Sequence, residues 1–393
     1  MSIGLITYHW VANYGANLQM LSTYKYLESR GLSPIVINWI PAACKSYYEK
    51  VAGIIQMKCH LDFLNRHCRV TREFSDQKEI HAIIKDYDIR GLVIGSDSLF
   101  NIMMPRFNVM RMRQSIPTED HTWPNLFWCY DIKIPHVALS VSSQNASYKK
   151  FHKEKTEIGK ALKRFNAISV RDDWTKEMVL YFTRGEIAPP VTPDPVFAFN
   201  KNVPQDIDKN DILNKFHLPE KYVLFTFNEG RMKSPQKWIE EIKRLFHEQG
   251  ITCVYLPRST GSQNLVLDYS IKMPIDPMDW YNLIRFSAGY IGVLMHPIVV
   301  CLHNSVPFYS FDHYGKGHIM FASKESSKIY HILKKADILS NHFFLKNHIF
   351  FPDPYEVFMS IVNFPIDKIK KFSSEQGEEC LANMNNLTLQ LGI

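Results

Sequence analysis

The stretch "GLITYHWVANYGANLQM", Gly4 to Met20, opens as a buried strand and closes as a helix. "SIGLIT" is a short apolar run. Leu18, Leu21, Tyr24 and Leu27 then recur at helical spacing, and "SRG" ends that helix with a glycine. "SPIVINW" follows as a second strand. A strand, helix, strand unit of this length predicts parallel pairing through a right-handed crossover. Ligands of open parallel sheets lie beyond the carboxyl ends of the strands. Asn13, Tyr14 and Gly15 fall at such an end, and two readings stand for them. In one, the glycine lets a ligand approach the backbone and the free helix N–H groups favour an anion. In the other, the segment is a tight turn and Asn13 caps the helix. The stretch has no GxGxxG, so it gives no dinucleotide fingerprint.

The same pattern extends outward. "IRGLVIGSD", "PHVALSVSS" and "AISVRDD" are apolar runs ending in small or polar residues, with the charged helix "YKKFHKEKTEIGKALKRF" between two of them. "APPVTPDPVFAFNKNVPQD" reads as a connector. The pattern then restarts with "KYVLFTFN", "SPQKWIEEIKRLFHEQG", "ITCVYLPR", "DPMDWYNLIRFS", "GYIGVL", "IVVCLHNS" and "PFYSF". The expected fold is α/β, with two doubly wound Rossmann-like domains facing across a cleft, GT-B-like, and a C-terminal helical tail. The expected bounds are 1–195, 196–365 and 366–393.

A length of 393 residues suits two domains, and an apolar share of 46% with 22% charged residues is that of a globular chain. No repeat or low-complexity tract stands out. "MSIGLITY" puts no basic segment before an apolar core, so no signal peptide is expected. "AGYIGVLMHPIVVCL" is too short to span a bilayer. The expected location is cytoplasmic, with at most peripheral contact at the inner membrane face. Seven cysteines without a CxxC pair suit reduced thiols. "CHLDFLNRHC" (Cys59, His60, His67, Cys68) has metal-ligand residue types, but Leu61, Phe63 and Leu64 favour a packed helix. The 46 basic against 39 acidic residues, net +7, favour acidic ligands or an acidic surface. No nucleic-acid reader motif is present.

Several strand ends carry groups able to do chemistry. "GSD" places Ser96 and Asp97 after one strand; Asp97 suits a base, a hydroxyl acceptor or a turn residue. "SVRD" places Arg171 after another, either to clamp a carboxylate or phosphate or to pair with Asp194 in "PDP", and Asp172 as a helix cap. "VLMHP" places His296 between a strand and a helix, a position for a general acid or base, with Pro297 in the first turn. Arg231, Lys233 and Arg258 are candidate anion binders near second-domain strand ends. The long loop 98–130 holds Arg106, Arg111 and Arg113 with Trp123, Phe127 and Trp128. It suits a sugar or anionic headgroup, or a loop packed on its own apolar groups.

Taken in order, "GLITYHWVANYGANLQ", "VIGSDSLFN", "AISVRDD" and "DWYNLIRFSAGYIGVLMHPIVVCLHNSVPFYSF" resemble the polysaccharide pyruvyl transferase family over most of residues 1–312. The resemblance implies a GT-B-like fold, with an acceptor-side first domain and a donor-side second. It implies transfer of a pyruvyl unit from phosphoenolpyruvate to a sugar of a surface polysaccharide or its precursor, free or linked to a polyprenyl diphosphate. It carries over to His296, Asp97 and Arg171 as catalytic or donor-binding residues. It also makes Asn13, Tyr14, Gly15 and Ser96 part of the site. The family's usual "SFHG" or "RLHG" is "LMHP" here, so Leu294 replaces a Ser or Arg. A phosphate contact is then absent or passes to Arg258, Arg285 or Lys316. "GSDQVW" is "GSDSLF".

That chemistry needs a proton donor, cationic clamps and a dry site holding two hydroxyls near one carbon. It calls for no cofactor and no metal. Two rivals share the fold: a GT-B glycosyltransferase using a nucleotide sugar, and a non-catalytic sugar- or anion-binding protein. The oligomeric state is not legible.

Overall fold

The computed structural model describes every residue except 109–112, 228–235, 261–264, 314–323, 325–326, 348–349 and 393. The chain forms two compact units, Met1–Val203 together with Gly377–Ile393, and Pro204–Gln376.

In the first unit the strands are β1 (Ser2–Ile6), β2 (Ser33–Val36), β3 (Ile89–Asp97), a hairpin of β4 (Arg106–Asn108) and β5 (Arg113–Ser115), β6 (His136–Val141) and β7 (Ala167–Val170). The main sheet is parallel, in the order β2-β1-β3-β6-β7. Helices cover a parallel sheet on both faces, so its strands are apolar throughout rather than alternating. Ile3, Leu5, Leu92, Ile94, Val137 and Ala138 are fully buried accordingly. The strand order reverses between β1 and β3, and that crevice is where ligands of such sheets bind.

The helix Tyr14–Ser29 is buried on nearly every side. Its polar residues therefore need internal partners. Ser22 Oγ donates to the carbonyl of Pro195 (2.8 Å), and Thr23 Oγ1 to that of Gln19 (3.0 Å). Asn17 Oδ1 accepts from His60 Nδ1 (2.7 Å), while His60 Nε2 lies 3.0 Å from Gln56 Nε2. Burial pushes the His60 pKa down to about 4, so the ring is neutral and holds two helices together. In "CHLDFLNRHC", then, His60 is a packing residue, and His67 lies against the Phe63 ring with centroids 4.8 Å apart.

The proline-rich stretch is for most of its length core. Pro195–Ala198 and the short helix Phe199–Asn202 place Val196, Phe197, Ala198 and Phe199 in the interior. The C-terminal helix Ile366–Gln390 likewise buries Cys380, Met384 and Leu387. Its Asn383 Nδ2 donates to Ser169 Oγ (3.0 Å) in the first unit. Both ends of the long loop are packed: Leu99, Phe100, Ile102, Leu126, Phe127 and Trp128 are buried, and Phe100 stacks on Trp128. Arg111 lies outside the described residues.

The second unit has β8 (Tyr222–Thr226), β9 (Thr252–Tyr255), β10 (Tyr269–Ser270), β11 (Gly289–Gly292), β12 (Phe308–Asp312) and β13 (His342–Phe344). They form a parallel sheet ordered β10-β9-β8-β11-β12-β13. The helix Gln236–His247 turns Trp238, Ile239, Ile242, Leu245 and Phe246 inward at helical spacing. Order reverses between β8 and β11. At Gly292 a Cβ would meet the carbonyl of Thr226 at 2.6 Å, so only glycine lets these two strands pair. Among the described residues, no helix is long and apolar enough to cross a membrane.

Candidate active site

The carboxyl ends of β1, β3, β6 and β7 are laced together by short polar side chains. Thr7 Oγ1 donates to the carbonyl of Ser96 (2.9 Å), and Ser96 Oγ to that of Ser140 (2.8 Å). Ser142 N donates to Asp97 O (2.8 Å), carrying the β3–β6 ladder one step further. Ser96 thus serves the frame with its hydroxyl.

Before it, Gly95 has φ +143°, and a Cβ there would lie 2.1 Å from the Leu139 carbonyl, so the position is closed to any other residue. Asp97 follows with φ 102°, a conformation a non-glycine residue rarely adopts. Such conformations cost about 1–3 kcal/mol and persist where the surroundings over-determine them, often at functional sites. Here the Ser98 amide (2.7 Å) and hydroxyl (3.2 Å) donate to Asp97 Oδ1 and fix the carboxylate.

Arg171 leaves the end of β7, its amide bonded to Val141 O (2.9 Å). Asp172 caps the next helix, accepting from Thr175 N (2.8 Å). The Arg171 side chain is only 6% exposed. Its Nη1 donates to Asp194 Oδ2 at 2.7 Å, the ion pair left open by the sequence, while Nη2 stands 3.7 Å from Asp97 Oδ1, beyond hydrogen-bond reach. Nε and Nη2 are buried with no hydrogen-bond partner. Burial works against the guanidinium charge, but the carboxylates of Asp194, Asp97 and Asp172 outweigh it and hold the pKa above its ordinary value. A buried arginine edge with two unmet donors matches a carboxylate or phosphate.

Deeper in the same unit Tyr8 donates to Asp120 Oδ2 (3.0 Å), and Cys44 Sγ approaches Asp120 Oδ1 (3.3 Å). Burial, then the charges of Asp120 and Asp97, push the Tyr8 hydroxyl well up; burial and Asp120 push the Cys44 thiol up to about 12. Both stay protonated at neutral pH and donate.

The remaining candidates divide. Asn13 caps its helix, accepting from Ala16 N (3.4 Å), and is part-buried. Tyr14 is buried against the His60 ring, centroids 5.0 Å apart, and Gly15 is buried beside it. In the second unit His296 lies in the first turn of the helix Met295–Asn304, one residue earlier in that helix than Pro297. It is half-buried at the end of β11, beside the strand-order reversal. The helix starts at Met295 because Leu294 holds an extended conformation ahead of it; Leu294 gives no side-chain cap. Arg258 Nη2 donates to Thr260 Oγ1 (3.0 Å) just past β9. Arg285 ends the helix that leads into the opposite, amino end of β11, and its Nη1 donates to Gln205 Oε1 (3.0 Å), which removes it from the His296 end of the strand. Lys316, Arg231 and Lys233 lie outside the described residues.

Among the described residues, one group brings three metal-ligand atoms within 4.8 Å: His247, Cys253 and Asp268. Lys243 Nζ is 3.0 Å from Asp268 Oδ1, and the Cys253 amide donates to Oδ2 (2.8 Å). The carboxylate is engaged in an ion-pair network, which accounts for the grouping.

A family model described as polysaccharide pyruvyl transferase matches residues 13–314. The chain belongs to the polysaccharide pyruvyl transferase family. No curated protein matches it. Solved structures give the fold of this family member. UDP-GlcNAc 2-epimerase from Neisseria meningitidis, bound to UDP-GlcNAc, aligns with TM-score 0.54 at 9% identity, covering 100% of this chain and 99% of the other. A UGT of Glycyrrhiza uralensis complexed with glycyrrhetinic acid 3-O-monoglucuronide gives 0.54 at 7% identity, covering 100% and 96%. UDP-GlcNAc 2-epimerase from Methanocaldococcus jannaschii gives 0.52 at 9% identity, covering 92% and 91%. These are GT-B structures, and the pyruvyl transferase chain has that fold. Sequence reasoning did not nominate Gln19, Tyr8 or Asp120.

Proposed function

We propose that the protein transfers the pyruvyl group of phosphoenolpyruvate to two hydroxyls of a sugar, in a surface polysaccharide or its lipid-linked precursor, giving a ketal and inorganic phosphate. Arg171 holds the donor's negative charge, Asp97 orients an acceptor hydroxyl and takes its proton, and His296 delivers a proton to the donor's methylene carbon. Protonation turns the methylene into a methyl group and leaves the second carbon cation-like. The first hydroxyl oxygen bonds to that carbon and loses its proton. The carbon–oxygen bond to phosphate then breaks, phosphate departs with its electron pair, and the second hydroxyl closes the ring as its proton passes to the deprotonated His296. Arg258 and Lys316 are the candidates for the phosphate, since Leu294 brings no polar group.

What supports this reading is the buried Nε/Nη2 edge of Arg171, short of partners and beside a carboxylate fixed at φ 102°. A donor carboxylate would satisfy both hydrogen-bond donors at once. The test is phosphate release from phosphoenolpyruvate with and without a panel of sugar acceptors. Release that depends on acceptor, with the pyruvyl group recovered on the sugar, is the expected result. A protein that releases no phosphate with any acceptor, yet consumes a nucleotide sugar, would overturn it.

A further inference from the structure

We propose that Gln19 and Asp194 are positioning residues that aim the Arg171 guanidinium at the donor. This rests on the reading of Arg171 given above. The Asp194 side chain is 1% exposed and fully engaged. Its Oδ1 accepts from Val196 N (3.0 Å), which fixes the carboxylate on the backbone. Its Oδ2 accepts from Arg171 Nη1 (2.7 Å) and from Gln19 Nε2 (2.5 Å). Gln19 is fully buried, and its Oε1 has no hydrogen-bond partner. The amide therefore leaves an acceptor unmet in the core in order to put its N–H on Asp194. Turned over, it would set an oxygen against a carboxylate, so electrostatics select this orientation. A residue serving packing alone would be apolar here, because an unmet buried acceptor is costly.

The consequence runs through the guanidinium. Asp194 occupies Nη1, and the Arg171 backbone is tied to Val141. A planar group held at one nitrogen and at its root can turn little, which leaves Nε and Nη2 as the edge presented to a ligand. The last residue of "NYGANLQ" thus acts on the site from behind, through Asp194, while the turn at its start caps the helix.

The experiment is Gln19→Met, alone and in an Arg171→Lys background, with two readouts. One is the Arg171 Nε–H resonance in a proton–nitrogen correlation spectrum of the whole protein without substrate. It is expected to be sharp in the wild type and shifted or broadened in Gln19→Met. The other is steady-state kinetics. Loss of one charge-assisted bond should raise the KM for phosphoenolpyruvate about tenfold, with kcat and the acceptor KM within about twofold. In the Arg171→Lys background Gln19→Met should add nothing to the donor KM. Asp194→Asn, which turns a donor toward Nη1, should move the same resonance further. If Gln19→Met does not fold, Gln19→Asn shortens the reach and reads the same signal. An unchanged resonance, or equal rises in donor and acceptor KM in both backgrounds, would overturn the proposal. If the resonance responds but the wild type never turns over phosphoenolpyruvate, the positioning stands and the reaction assigned above fails.

Discussion

His296→Ala is expected to lower acceptor-dependent phosphate release by roughly 10²–10⁴-fold, the worth of a positioned acid or base. The enol donor has no good electrophile until its methylene carbon is protonated, and a group titrating near neutrality is the efficient donor. His296 stands at the end of β11, beside the strand-order reversal of the second unit, where parallel sheets place ligands. The substitution should leave the fold alone. The side chain is half-buried in a first helical turn, alanine suits a helix, and Leu294 rather than His296 holds the cap position. Thermal melting should stay within a few degrees of wild type. His296→Gln, which keeps a hydrogen-bonding side chain but has no proton to shuttle, should lose as much. Near-normal turnover in a folded variant would remove His296 from the mechanism.

Arg171 should respond differently to two substitutions. Arg171→Ala leaves Asp194, 1% exposed at its side chain, and Asp97 as buried carboxylates without their cation. Breaking a buried pair in this way costs about 3–5 kcal/mol, a large share of a domain's stability, so the variant should melt far below wild type or fail to fold. Arg171→Lys keeps a charge beside Asp194 and should fold. It lacks the planar fork, however, and cannot present two parallel donors to a carboxylate. The donor KM should rise roughly 100-fold, more than a single lost hydrogen bond explains. A lysine variant with wild-type donor KM would show that Arg171 is a structural ion pair and nothing more.

The fold was legible because it rests on apolar runs of strand length separated by helical periods, a signal carried by local sequence. The stretch from Gly4 to Met20, "SPIVINW" and "IRGLVIGSD" were enough to place the first parallel unit. The short strands Tyr269–Ser270 and His342–Phe344 were missed, being too brief to show a period. The proline-rich stretch misled in part: prolines mark irregular backbone, but Val196, Phe197 and Phe199 beside them were core residues in plain view. The C-terminal segment was legible only as a helical tail, because its buried Cys380, Asn383, Met384 and Leu387 form a narrow seam in a charged surface.

Within the candidate site, strand ends pointed to Asp97 and Arg171, which the structure brings to 3.7 Å. The pairing of Arg171 with Asp194 in "PDP" was one of two readings the sequence left open, and the structure forms it. Gln19 was not foreseen, because its bond to Asp194 joins residues 175 positions apart and no local pattern records it. Tyr14 looked like a ligand contact and is buried against His60, an outcome set by how two helices pack.

The most direct measurement follows the oxygen that bridges carbon and phosphorus in phosphoenolpyruvate. Pyruvyl transfer breaks the carbon–oxygen bond, whereas phosphoryl transfer or simple phosphatase action breaks the phosphorus–oxygen bond. With that bridging oxygen labelled as oxygen-18 and a sugar acceptor present, the label should leave entirely in the inorganic phosphate, and the sugar should carry unlabelled ketal. Label retained in free pyruvate, or phosphate released at the same rate without acceptor, would contradict the account.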